Sequence, residues 1–447
     1  MRFIPHTKED IDEMLAVVGA NDLEDLVAHV PAELRRRAAL NLPPGLSEAE
    51  VAARLSALAE RNRGAREYIS FLGSGCYRHY VPAAVRAVVA RAEFATSYTP
   101  YQPEASQGTT QAIFEFQTLI AQLSGLAVAN AGMYDGASAA AEAVLMARRL
   151  LPKRHRVVLA RSLWPDYRAT VRTYLNAQPE LEVVELPFNS ESGTCDEVAL
   201  RGLADEQLLC AVIGYPNGFG IIEPLERIAR VVHEAGGLAI SVTAEALAMG
   251  LLGAAGVLGA DIAVGEVQSF GLAPQFGGPW AGFFATRQEF VRQMPGRLVG
   301  MTRDAQGRRA FCLTLATREQ HIRRERATSN ICTNHSLCAL AAAVYLSLMG
   351  RQGLRELAAR NVELAHEAAA MLAAHGMRPR FTGPFFNEFT LALPDVRGAL
   401  SAAQARAVLA GVPLGPDYPD LADSIVIAVT ELNSRDELGA LCEALKQ

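Results

Sequence analysis

The sequence predicts an α/β protein: a large domain built on a mostly parallel, doubly wound sheet, a smaller α+β domain at the C-terminal end, and a helical N-terminal arm. Three observations carry this. From Arg156 the chain alternates apolar strand runs (VVLA, LEVVELPF, LLCAVIGYP, GLAISV) with helical stretches at Asp166 to Gln178, Asp196 to Leu203 and Pro224 to Ala235. Strands that are apolar throughout, and not at every second position, belong to a sheet covered by helices on both faces. The first seventy residues show helical periodicity interrupted by Pro31, Pro43 and Pro44, with no strand run. After Leu337 a long helical region reaches about His375, broken near Gly350 to Gly353. Strands at Asn387 to Leu393 and Ser424 to Thr430 follow, with helices at Ser401 to Ala410 and Ser434 to Leu445. The expected divisions are residues 1–70, 71–325 and 326–447.

Each element has its local cause. Thr7 with Asp10, and Ser47 with Glu50, have the spacing of capping boxes that open helices at Thr7 to Ala16 and Ser47 to Asn62; Asp22 to His29 is helical between them. Gly73 and Gly75 begin a G-x-G pattern, but Arg78 stands at the third glycine position and no βαβ unit precedes it, so it is no dinucleotide site. Thr96 to Gly108, TSYTPYQPEASQG, is an aromatic loop whose turns are fixed by Pro100 and Pro103. A helix follows over Gln107 to Leu123, and Asp135 is placed to cap a small-residue helix running to about Arg149. Gly259 to Thr286, GADIAVGEVQSFGLAPQFGGPWAGFFAT, reads as a buried strand, a polar loop with adjacent glycines and a second apolar strand. A ligand site belongs at such a loop, beyond the carboxyl ends of the strands.

Composition narrows the classes. The chain has 447 residues, 50% hydrophobic and 20% charged, with net charge -6. That balance argues against nucleic-acid binding, which needs a concentrated basic face. Its longest apolar stretches, Ala246 to Ala260 and Cys338 to Met349, fall short of the ~18 residues of a membrane span and read as core. Seven cysteines without a C-x-x-C pair give neither a disulfide framework nor a zinc signature and fit a reducing cytoplasm. The opening MRFIPHTKED lacks the build of a secretion signal.

Four stretches closely resemble glycine decarboxylase, the P-protein family of the glycine cleavage system: Phe71 to Pro82, the aromatic loop, SGLAVANAGMYDGASAAAEAVLMARR, and Arg318 to Ser336, REQHIRRERATSNICTNHS. The resemblance implies a pyridoxal-phosphate (PLP) transferase fold of type I. It also places the family's His-Lys-Thr-Phe loop on Val267, Gln268, Ser269 and Phe270. An amide cannot form the Schiff base that a lysine amine forms. No other lysine stands in, because the chain holds only Lys8, Lys153 and Lys446. Val242 takes the place of the aspartate that pairs with the pyridine nitrogen. The resemblance therefore implies a subunit without its own PLP, which completes the site of a homologous PLP-bearing subunit acting on glycine and the lipoyl H-protein. On that reading Arg326, Thr328, Ser329 and Asn330 reach the partner's cofactor phosphate, and Tyr98, Tyr101 and Gln107 line the substrate entrance or the interface. Gly136, Ala137 and Ser138 at the helix N-terminus either hold an anion or serve as plain capping. The alternatives are a PLP-independent enzyme, whose pocket would be lined by perturbed acids or bases, and a regulatory or binding protein on the same fold.

Overall fold

The computed structural model describes residues 6–38, 40–62, 64, 67–275 and 277–446. The first five residues of MRFIPHTKED, and Phe276 in the Gly259 to Thr286 stretch, lie outside the described residues. Tertiary contacts divide the chain into Met1–Gly64 and Ala65–Gln447.

The first unit carries helices Lys8–Val18, Leu23–Leu26, Ala32–Arg37 and Glu48–Ala59. Both capping boxes form: Thr7 accepts from the Asp10 amide while Asp10 accepts from that of Thr7, and Ser47 and Glu50 exchange the same pair. The helix expected over Asp22 to His29 is a single turn, because Val27 leaves the helical region at φ -108° ahead of Pro31. A helix that the sequence reading left out, Ala32–Arg37, starts after Pro31 and carries Arg35, Arg36 and Arg37 in its last turn, where cations oppose the negative end of the helix dipole.

The second unit is organised by a seven-stranded sheet in the order Val128–Ala129, Gly282–Thr286, Ile262–Glu266, Leu238–Thr243, Leu208–Gly214, Arg156–Ala160, Glu182–Leu186. The last five are mutually parallel, and Gly282–Thr286 runs antiparallel to both of its neighbours. Leu208–Gly214 and Leu238–Thr243 are buried at every position, as continuous apolar runs require. Helices Gln107–Ser124 and Gly136–Leu150 flank the sheet, the second capped by Asp135 on the Ser138 amide. Leu298–Arg303 and Arg309–Thr314 form a separate antiparallel hairpin.

Helix Ser336–Ala374 is interrupted at Gly350, where φ is 59°. It is long and apolar enough to cross a membrane by length and composition, but half of its most apolar window is buried inside the fold. It leads to the smaller sheet of Glu388–Ala392, Ser424–Ala428 and Val412–Pro413. The helix expected at Ser401 to Ala410 lies earlier, at Val396–Ala405. Asp395 caps it on the Gly398 amide, and Ala407, at φ 58°, turns the chain into Val408–Leu409. That strand pairs in parallel with Ile69–Ser70, a partnership across more than 300 residues that no local pattern announces.

Candidate functional site

Strand Ile262–Glu266 runs into the loop where the family's lysine would stand. Gln268 is buried there, 1% exposed. Its Oε1 accepts from the Tyr77 amide at 2.9 Å, and its Nε2 donates to the carbonyls of Tyr77 (3.0 Å) and Leu272 (2.5 Å). Both ends of the carboxamide are engaged, so the residue clamps one backbone segment onto another. Val242 is fully buried between Gly214 and Val264 in neighbouring strands. Gly277, at φ 81° in open space, shapes the loop through its backbone.

At the end of strand Ile262–Glu266 lies a cleft of about 450 Å³, bounded by Glu266, by Tyr134, Asp135 and Ala137 around the start of the small-residue helix, by Asp166 and Tyr167 from helix Pro165–Leu175, and by Trp280 and His335. Helix N-termini attract anions because their first amides have no partner within the helix. Here the protein supplies its own acceptors. Glu266 accepts from the Gly136 amide, and Asp135 accepts from the Ser138 amide at 2.7 Å. Gly136 admits no side chain: a Cβ would fall 2.3 Å from the Tyr167 hydroxyl. Burial pushes the Glu266 carboxyl up to about 8, the Gly136 amide opposes this, and Asp135 and Asp166 add to it. Burial likewise raises Asp166.

The residues present do not fit PLP. At the positions the family resemblance assigns, an engaged amide stands for the amine and a valine for the pyridine partner, and carboxyl groups take the Gly136 and Ser138 amides that would meet a phosphate. The anion reading of Gly136, Ala137 and Ser138 gives way to capping by the chain's own side chains.

The two other stretches that carry the family resemblance meet at one buried cation. Arg297, 4% exposed, donates to the Tyr101 hydroxyl at 2.7 Å and the Thr99 hydroxyl at 3.3 Å, and pairs with Glu319 at 3.3 Å. Its guanidinium also lies over the Tyr101 ring, 5.1 Å from the centroid. Tyr98 is exposed, with its hydroxyl 2.9 Å from that of Thr333. The aromatic loop is thus tied to the 318–336 segment. Gln107 braces the loop from beneath: its Nε2 donates to the carbonyls of Pro103 (2.6 Å) and Phe311 (2.8 Å), and its Oε1 accepts from the Phe311 amide at 2.9 Å.

In the 326–330 run, Arg326 is exposed with Glu325 at 3.8 Å, and the Thr328 amide donates to the Arg318 carbonyl at 3.0 Å. Ser329 accepts from the Ile331 amide, while Asn330 is exposed. Arg318, by contrast, is buried and held by the carbonyls of Met294 and Gly296.

Three groups escaped the sequence reading. Glu266 carried a signal, a lone carboxylate closing an apolar strand. Arg297 carried none. Neither did the network under the Phe71 to Pro82 segment, where His79 lies between Glu245 (3.0 Å) and Glu431 (2.8 Å) and Tyr77 donates to Glu388 at 2.7 Å. Gly73 is required there, because a Cβ would fall 2.3 Å from Glu388 Oε1.

A family model described as "Glycine cleavage system P-protein" matches residues 1–445. The chain is 48% identical over 441 residues to "Probable glycine dehydrogenase (decarboxylating) subunit 1" of Geobacillus thermodenitrificans, covering 98% of this chain and 97% of that one. It is 46% identical to the protein of the same description from Carboxydothermus hydrogenoformans, covering 100% and 99%. Among solved structures, a crystal structure of "glycine decarboxylase (P-protein) of the glycine cleavage system, in inhibitor-bound form" superposes with a TM-score of 0.91 at 46% identity, over 100% of this chain and 99% of that one. A "NIFS-LIKE PROTEIN" at TM-score 0.64 and 14% identity shares the fold.

Proposed function

The chain belongs to the glycine cleavage system P-protein family, and from that premise we propose that it is the half of a two-chain glycine decarboxylase that holds no PLP and completes its partner's site. It is a subunit of glycine dehydrogenase (decarboxylating), acting as part of a complex. The observation that carries the cofactor-free reading is Gln268, buried where the lysine would be and engaged at both ends of its amide. PLP, on this reading, resides in the homologous partner, where it supplies the electron sink for decarboxylating glycine. The lipoyl arm of the H-protein is the co-substrate, and the complex works in the cytoplasm. The perturbed Glu266 meets one criterion of a PLP-independent enzyme, but its Oε1 is committed to a helix amide.

The purified chain mixed with PLP is expected to show no Schiff-base absorbance, and borohydride to leave no pyridoxyl group on it. Gln268→Lys alone still binds far more weakly than the intact complex, because Val242 and Glu266 remain. A borohydride-fixed adduct on the wild-type chain would overturn the assignment.

Residues of the N-terminal unit support an interface. Val51, Leu55 and Leu58 form an exposed apolar stripe at helical spacing on Glu48–Ala59, and Val17, Val18 and Leu34 are exposed as well. We read these as surfaces that the assembled enzyme covers, since an obligate interface is more apolar than ordinary surface.

The run from Arg326 to Asn330, exposed at its two ends, is the element that crosses to the partner's cofactor phosphate, with Tyr98 and Tyr101 at the entrance for glycine and the lipoyl arm. Among the described residues the Thr328 hydroxyl has no hydrogen-bond partner. Thr328→Val removes that donor at nearly constant volume. A hydrogen bond to a charged acceptor contributes roughly 1.5–3 kcal/mol, so PLP should bind the mixed complex about ten- to a hundredfold more weakly. Titration of PLP into apo complexes made with each chain measures this, and equal dissociation constants would remove Thr328 from the phosphate site.

A further inference from the structure

We propose that the acid-lined cleft beside helix Gly136–Leu150 is a binding site for a small organic ammonium ion. Two helix N-termini open on it, and each brings a carboxylate, Asp135 and Asp166, while Glu266 arrives from the end of the adjoining strand. Carboxylates at helix starts are common, and these two have capping duties, Asp135 on the Ser138 amide and Asp166 on that of Tyr167. The independent observation lies at the buried end of the cleft. Glu266 is 2% exposed, and among the described residues its Oε2 has no partner; Tyr167 is 3% exposed, and its hydroxyl has none either. Leaving a buried polar group unpaired is costly, and both residues line the same cleft.

The chemistry of the walls selects the ligand. Among the described residues no lysine or arginine lines the cleft, and the Gly136 amide that would meet a phosphate already holds Glu266. An ammonium N–H satisfies Glu266 Oε2 or the Tyr167 oxygen, and Tyr134 and Trp280, aromatic residues of the type that attracts a cation, line the same cleft. His335 gives its Nδ1–H to the Trp280 carbonyl, which fixes its ring at the cleft wall. A metal ion fits less well, because divalent ions gather several oxygens at close range and no group of three or more His, Cys, Asp or Glu among the described residues is placed to do so. The volume, about 450 Å³, suits a small molecule.

Protonation gives the site a signature. The titratable groups around Glu266 are Asp135, Asp166, Tyr134, Tyr167, His335 and the Cys76 thiol. Its carboxyl is held up to about 8, chiefly by burial, and a bound cation favours the ionised form. Affinity should therefore rise with pH through 8, below the pKa of the amine itself.

The inference rests on the reading that this chain holds no phosphate cofactor, and the test separates the two. Calorimetric titration of the complex uses trimethylammonium, which keeps one N–H and cannot form an imine with the partner's aldehyde. Inorganic phosphate is the counter-probe. Expected are one trimethylammonium per copy of this chain, affinity several-fold higher at pH 9 than at pH 7, at least tenfold weakening in Glu266→Gln with loss of the pH dependence, and weaker binding in Tyr167→Phe, a milder change if the first variant does not assemble. No binding by the wild type, or unchanged affinity in Tyr167→Phe and any assembled Glu266→Gln, overturns the ammonium site alone. Phosphate binding that Glu266→Gln strengthens overturns the cofactor-free reading as well.

Discussion

Replacing His79 with leucine is expected to destabilise the chain by about 3–5 kcal/mol, the loss that follows removal of one partner from a buried ion pair. The imidazolium donates to Glu245 at 3.0 Å and to Glu431 at 2.8 Å, with side-chain exposures of 2%, 3% and 12% for the three residues. Burial works against the charge on His79, but the two carboxylates override it and raise the ring to about 10. Leucine leaves two carboxylates facing a hole that held a cation. Their other contacts, Glu245 with the Leu247 amide and Asn387, and Glu431 with the Tyr80 amide and Asn361, do not supply the lost charge.

The same residue sets a pH dependence. Because the folded pKa lies above the unfolded value of about 6.5, its stabilisation is complete below pH 6.5 and is lost as pH rises to about 10. Glu388, raised to about 7 chiefly by burial, adds a loss of the same sign between about 4.5 and 7. Urea midpoints of the complex from pH 6 to 10 should fall for the wild type and stay flatter for His79→Leu. Adding Glu245→Gln and Glu431→Gln should recover part of the lost stability. A His79→Leu chain as stable as wild type, or a wild-type midpoint level between pH 6.5 and 10, would show that the network carries no net charge coupling.

Arg297→Met is expected to lower turnover of the complex more than tenfold, while a companion change restores stability without restoring activity. Glu319 is 6% exposed and loses its buried cation in this variant, at a cost of about 3–5 kcal/mol. Its remaining neighbour, His321, stands at 3.5 Å. Arg297→Met with Glu319→Gln removes the stranded charge and should recover most of the stability. It does not return the Tyr101 and Thr99 hydroxyls to a common donor. The aromatic loop and the 318–336 segment then open independently, which native-state hydrogen exchange reads as lost protection in both. Full turnover in the double variant, or unchanged protection of residues 96–108, would mean that the two segments are ordered by something other than Arg297.

Much of this was open to local reading. The strand and helix alternation from Arg156, the caps at Thr7, Ser47, Asp135, Asp196 and Ser434, and the break at Gly350 are properties of neighbouring residues. Periodicity and capping act over a few residues, so the sequence displays them directly. Boundaries slipped where a neighbour outweighed the pattern: Asp395 captured the helix start from Ser401, and Val27 ended a helix expected to reach His29.

By itself the sequence determined that Gln268 occupies the loop position where the family resemblance expects a lysine and that Lys8, Lys153 and Lys446 are the only lysines in the chain, because composition is independent of folding. What surrounds that loop was decided only in three dimensions. Glu266 reaches Gly136 across 130 positions, Gln268 reaches Tyr77 across 191, and His79 reaches Glu431 across 352. Such pairings depend on how the strands are ordered and which helix ends they face, and a side chain's burial and partners are set by that packing and not by its neighbours along the chain.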